Sequence, residues 1–311
     1  MSTVEDEQLQ VTPIEADHSS EYDSTLGEDE STYTASLKSS LLESVNENGR
    51  GYHKYRDGAY ILPEDEREQE RLDMQHQMLR MLFHEKLMLA PIKEQPLHAL
   101  DLGTATGIWA IEYADENPGC QVLGIDLSPI QPAFVPPNCK FEVDDWESEW
   151  MFKQKFDVVH ARAMVTSMAD PPGLFKKVYD SMAPGGWFEL QDLYMPILCD
   201  DGTMSRDCAW QRWNDIFVTS VEKLGRDCRW AAKYKEWLEQ IGFKNVVELK
   251  HKLPVNSKSL FLGNQQWLKH ALCVSWNTVV DVPLYQVSEP HSHGLVSPQC
   301  FSYCCRALRY T

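Results

Sequence analysis

The 311-residue chain is poor in basic residues. It has 29 lysines and arginines against 47 aspartates and glutamates, a net charge of −18. Duplex nucleic acid is bound through a basic face, and anionic membranes attract polybasic segments, so neither is expected as a partner. No apolar run approaches the ~20 residues of a membrane-spanning helix, and the N-terminus carries no apolar signal core. The nine cysteines form no CxxC pair ahead of the tail, a usage that suits reduced thiols. These absences predict a protein of the cytoplasm, the nucleus or both, although no basic cluster for nuclear import is evident. With 43% hydrophobic residues, the chain can bury one full α/β core and has residues left over.

The most informative stretch is Ala99-Leu-Asp-Leu-Gly-Thr-Ala-Thr-Gly-Ile-Trp-Ala-Ile111. A short apolar run ends in Asp101, a turn containing Gly103, Thr104, Ala105 and Gly107 follows, and Ile108 onward reads as a helix. Strand-to-helix loops of this kind bind nucleotide-like ligands on α/β sheets. A carboxylate beside the turn would repel a pyrophosphate and favour a cation. S-adenosylmethionine has an ammonium, a sulfonium and no phosphate, so it is the expected cofactor.

The chain continues in the same pattern. A second apolar run ends in Asp126, followed by Leu127; an acid at that strand tip suits ribose hydroxyls. A third strand, Phe141-Glu-Val-Asp-Asp-Trp146, ends in Asp144, Asp145 and Trp146, where an acid can accept from an adenine amine and the indole can cover its face. A fourth, Phe156 to Arg162, brings His160 and Arg162 to the point where substrate would meet cofactor. Ala183-Pro-Gly-Gly-Trp-Phe-Glu-Leu-Gln-Asp192 reads as a helix stop, a turn and a fifth strand. Strands near 98–102, 121–126, 140–143, 156–160 and 187–193 alternate with helices, and residues 246–253 alternate like a sixth strand. The expected fold is a Rossmann-like, doubly wound α/β fold with a mostly parallel sheet.

With these motifs the chain resembles the seven-stranded S-adenosylmethionine-dependent methyltransferases, and among them the fungal LaeA-like regulators of secondary metabolism. The closer likeness rests on Tyr52-His-Lys-Tyr-Arg-Asp-Gly-Ala-Tyr-Ile-Leu-Pro63, Asp101 to Ala110, Asp126-Leu-Ser-Pro-Ile-Gln-Pro132, His160-Ala-Arg162 and Pro184-Gly-Gly-Trp187. It covers roughly residues 50 to 255. Ala105 departs from the family's usual glycine. The resemblance implies methyl transfer within secondary metabolism or its regulation, acting on a small-molecule acceptor or with regulatory protein partners. A non-catalytic cofactor-binding module in a nuclear complex is the alternative.

Three segments follow from this reading. Residues 1–48 are acidic and polar and are expected to be disordered. Residues 49–257 form the methyltransferase domain, with 49–95 as a lid and N-terminal helix. Residues 258–311 form a divergent segment, a divergent end or an altered reading frame, that threatens to leave the sheet without its final strand. Helical spacing begins after Pro63 and carries His76 on its stripe. Tyr52, Arg56 and Tyr60 are lid or substrate candidates, with packing as the equal alternative. His160 is the candidate base or substrate orienter, with a satisfied structural histidine as its dull counterpart. No metal is expected; the spacing of His291, His293, Cys300, Cys304 and Cys305 matches no standard zinc site.

Overall fold

Helices and strands begin where local chemistry allows them. The computed structural model describes residues 44–53, 62–92, 94–196, 198–199, 205–253 and 278–286, all within the unit spanning 40–311. β1 (Ser44–Glu47) and β2 (Arg50–His53) pair antiparallel across Asn48-Gly49. Both turn residues have positive φ, 52° and 76°, which is what a two-residue hairpin of the right twist requires. α1 (Glu66–Leu82) starts behind Asp65, whose carboxylate accepts from the Glu68 amide at 3.1 Å. The hairpin is tied to this start by Arg50 Nη2 donating to Asp65 Oδ1 at 2.9 Å and Glu64 N donating to Gly51 O at 2.8 Å.

Seven strands form the central sheet: β3 (His98–Leu102), β4 (Gln121–Asp126), β5 (Cys139–Val143), β6 (Phe156–Arg162), β7 (Met182–Tyr194), β8 (Lys244–Leu253) and β9 (Thr278–Gln286). Their spatial order is β5-β4-β3-β6-β7-β9-β8. The β5 to β7 block is parallel, and β9 runs antiparallel to both neighbours. The order reverses between β3 and β6, so a crevice opens at their carboxyl ends. Between the strands lie α2 (Ile108–Glu116), α3 (Pro171–Ser181), α4 (Ala209–Lys223) and α5 (Tyr234–Ile241).

The core explains the double winding. Leu100, Ile125, Val159, Ala161 and Phe188 meet Phe175 and Val178 of α3 and Tyr234 and Leu238 of α5. Their strand neighbours Ala99, Val122 and Val158 meet Trp109, Ala110 and Tyr113 of α2. Consecutive residues bury on opposite faces, so these strands read as unbroken apolar runs.

Two expectations are corrected. The sheet has its final strand: β9 lies between β7 and β8, so the sheet extends past residue 257 into what read as a divergent segment. Pro283 and Asp281 interrupt that strand's apolar run and disguise it in the sequence. The boundary at residue 48 cuts through the β1–β2 hairpin; of the segment expected to be disordered, residues 1–43 lie outside the described residues. So do residues 258–277 and the His/Cys-bearing tail.

Candidate active site

β3 delivers Asp101 to the crevice, where it is 2% exposed. The chain then turns with Gly103, Ala105 and Gly107 all left-handed, at φ 66°, 52° and 81°. At Gly103 an added Cβ would stand 2.8 Å from Met164 Sδ and 3.3 Å from the Trp146 ring, so only glycine fits without displacement. Ala105 holds a backbone shape that costs a non-glycine residue roughly 1–2 kcal/mol. Its amide donates to Asp126 Oδ2 at 2.9 Å, and its carbonyl accepts from Gln131 Nε2 at 2.6 Å. Asp126 therefore sits at the tip of β4 bracing the loop, and its other oxygen accepts from Ser128 N at 3.0 Å. Burial pushes its pKa up to about 6 against those two amides, with the Asp101 charge adding to the rise.

Asp101 is paired from the neighbouring strand. It lies opposite His160 in the β3–β6 register, with Oδ1 2.7 Å from His160 Nδ1, while Oδ2 accepts from Thr104 Oγ1 at 2.6 Å. A carboxylate needs a donor, so the imidazole proton belongs on Nδ1 and Nε2 is left as an acceptor. Nε2 is buried and has no partner among the described residues. The ring lies flat on Trp109, with centroids 3.8 Å and planes 3° apart. Burial pushes the His160 pKa down to about 4 although Asp101 pulls it upward, so the ring is neutral at physiological pH.

Two residues on, Arg162 points from the same strand face into a polar network. Its Nε donates to Gln191 Oε1 and its Nη1 to His76 Nδ1, both at 2.7 Å. His76, on α1, faces Glu112 Oε2 at 3.0 Å through its other nitrogen, and Arg80 Nη1 donates to the same oxygen at 2.5 Å. Gln191 continues to Glu189 at 2.7 Å, which also accepts from the Leu89 and Ala90 amides. Arg162 Nη2 is left buried without a partner among the described residues. Burial pushes the guanidinium down to about 10, opposed by Asp101, Glu189 and Glu112. Burial, then the Arg162 charge, lowers His76 as well.

A cleft at this point is lined by Asp101, Gly103, Thr104, Ala105, Thr106, Ile108, Trp109, His160, Arg162 and Ala163, and by Leu72, Gln75 and His76 of α1. It thus gathers most of the sequence-derived candidates from β3, its loop and β6. Gly107 instead caps α2. Asp126, Leu127, Asp144, Asp145 and Trp146 stand outside the lining, in the adjoining β4 and β5 tips. Leu127 is buried, and Asp145 closes its own turn by accepting from Glu147 N at 2.9 Å. Asp144 Oδ1 accepts from Asp145 N at 2.8 Å. Trp146 joins the core with its ring beside Gly103, and its Nε1 has no partner among the described residues. Tyr52 lies half-buried in β2, outside the lining; Arg56 and Tyr60 fall outside the described residues. Among the described residues no cluster of His, Cys, Asp and Glu is fit to hold a metal.

A family defined as "Methyltransferase domain" matches residues 74–248. The chain is also 38% identical over 223 residues to methyltransferase pytC of Aspergillus terreus, covering 71% of this chain and 69% of that protein. The chain belongs to the methyltransferase family. Other relatives of this methyltransferase are the secondary metabolism regulator LAE1 of Cochliobolus heterostrophus (35% identity; 68% of this chain, 71% of the relative) and the protein-methionine methyltransferase laeA of Emericella nidulans (35%; 68% and 57%). Its cofactor is S-adenosylmethionine, and the site's chemistry fits. A carboxylate backed by an imidazole suits the ammonium.

Reading the sequence missed Gln191, Glu112 and the Trp109 stack. Polar Glu189 and Gln191 alternating within an otherwise apolar strand were a visible signal. Glu112 gave none, because an acid on a helix ordinarily faces solvent.

Proposed function

We propose that this methyltransferase acts in fungal secondary metabolism or its regulation, with Asp101, Gly103, Thr104 and Ala105 holding the cofactor's amino-acid end and Asp126 its ribose. Asp144 and Trp146 stand by the next strand tip for the adenine. The observation that carries this reading is the left-handed loop between Asp101 and Asp126, pinned by the Ala105–Asp126 hydrogen bond. Bound there, S-adenosylmethionine supplies an electrophilic methyl group for in-line displacement by an acceptor. The chain's part is to hold the reactants aligned and exclude water, which supplies much of the rate without an elaborate catalytic set. His160 suits orientation better than proton abstraction, because a base with a pKa near 4 is weak at neutral pH.

The acceptor is either a small secondary metabolite or a protein group. The name of the Emericella nidulans relative makes a methionine thioether one acceptor to test. The location we expect is the cytoplasm or nucleus, and the −18 charge speaks against a nucleic-acid partner; no described helix is long and apolar enough to cross a membrane.

Thermal stabilisation of the full chain by S-adenosylmethionine tests the cofactor site, with NAD as control. Ligand at 100 times Kd should stabilise by about 2.7 kcal/mol. Asp126→Ala should abolish the shift at the same concentration; a shift that survives in the variant removes Asp126 from the site.

A further inference from the structure

Two buried polar atoms of opposite character, carried by residues that line the cleft, lack partners among the described residues: the acceptor His160 Nε2 and the donor Arg162 Nη2. They belong to residues i and i+2 of β6, so both side chains leave the same face of the sheet. An unsatisfied buried polar group is costly, so two of them side by side at a cleft call for a water, an ion or a ligand to complete them. Each orphan is also held in place from behind. Asp101 fixes the imidazole through Nδ1, and the flat stack on Trp109 fixes its plane. Gln191 and His76 grip Arg162 through Nε and Nη1, leaving Nη2 as the remaining nitrogen.

We propose that His160 and Arg162 form a clamp for an α-amino acid group, with His160 Nε2 accepting from the ammonium and Arg162 Nη2 donating to the carboxylate of the cofactor's methionyl end. This rests on the reading of the cleft as the cofactor site and adds the residues that recognise the zwitterion. The Asp101 charge reaches the ligand through the imidazole: a carboxylate on Nδ1–H makes Nε2 a stronger acceptor for a cationic donor. Arg162 is balanced by neighbouring acids that do not bond Nη2, so its charge is available to a ligand carboxylate. The clamp also makes α1 part of cofactor recognition, because His76 on that helix holds the guanidinium in position.

The test uses S-adenosylhomocysteine, which binds without turnover, and its analogues lacking either the carboxylate or the amine, measured by calorimetry on the full chain. In the unaltered protein, loss of either group should weaken binding roughly tenfold to a hundredfold, the range for charge-assisted hydrogen bonds. Arg162→Gln should weaken S-adenosylhomocysteine by a similar factor yet bind the decarboxylated analogue as the unaltered protein does. Arg162→Lys, which keeps the charge, should recover part of the loss. The clamp is overturned if the unaltered protein binds the analogues within twofold of the parent, or if Arg162→Gln discriminates between them undiminished. If the unaltered protein binds none of these nucleosides, the cofactor assignment of the cleft itself fails. The comparison among ligands in the unaltered protein stands even if a variant does not fold.

Discussion

At the scale of single residues, the loop after β3 combines strain with charge. Ala105 occupies a left-handed conformation that glycine adopts freely. Ala105→Gly should therefore raise stability by about 0.5–1 kcal/mol, the relief of that strain less the added freedom of the unfolded chain. Denaturant unfolding checks this, and a lower midpoint with an unchanged slope would contradict it. Asp126 gives a pH signature. Its folded pKa, about 6, lies above the ordinary carboxylate value of 3.8, so the folded state holds its proton more tightly. The associated stability is fully present below pH 4 and is lost as pH rises through 6. With Asp126 on the ribose as proposed, cofactor binding has the opposite trend, since the ionised carboxylate is the better acceptor for ribose hydroxyls. Against Asp126→Asn, the ligand-free protein should lose relative stability between pH 4 and 6, while its S-adenosylhomocysteine affinity gains relative strength over the same interval. Parallel trends in the two measurements would exclude this role for Asp126.

At the scale of elements, β9 is the most consequential strand. It supplies backbone partners to β7 on one side and β8 on the other. A chain ending at residue 257 would leave β7 with an open edge and β8 cut off from the sheet. Such a truncation should aggregate on expression or melt well below the full chain, and a soluble, equally stable truncation would refute that dependence. The parallel strands were legible because each leads into a polar residue followed by a turn: Asp101, Asp126, Asp144 and Arg162 mark four ends. β9 was not, because Pro283 has no amide hydrogen and ordinarily argues against an interior strand. The ladder to β7 lapses here between the Glu189–Leu284 and Asp192–Asp281 pairs, which accommodates it. The β1–β2 hairpin was announced by Asn48-Gly49, a strong turn signal lost in the surrounding acidic, polar composition.

For the molecule as a whole, sequence order and spatial order part company at the far edge of the sheet. The cofactor half was legible because Asp101, the loop and Asp126 succeed one another along the chain. His160 against Asp101, and Arg162 against His76, join residues distant in sequence, and only the sheet register and the position of α1 reveal them. At the other edge, β8 is made before the strand that attaches it, with residues 254–277 between them. On a ribosome adding about 5–20 residues per second, β8 waits on the order of seconds for its neighbour to emerge. During that interval the nascent chain carries its parallel strands complete and the other flank of the sheet open, and chaperone protection matters most there. The last of the described strands to be synthesised thus sets when the sheet can close.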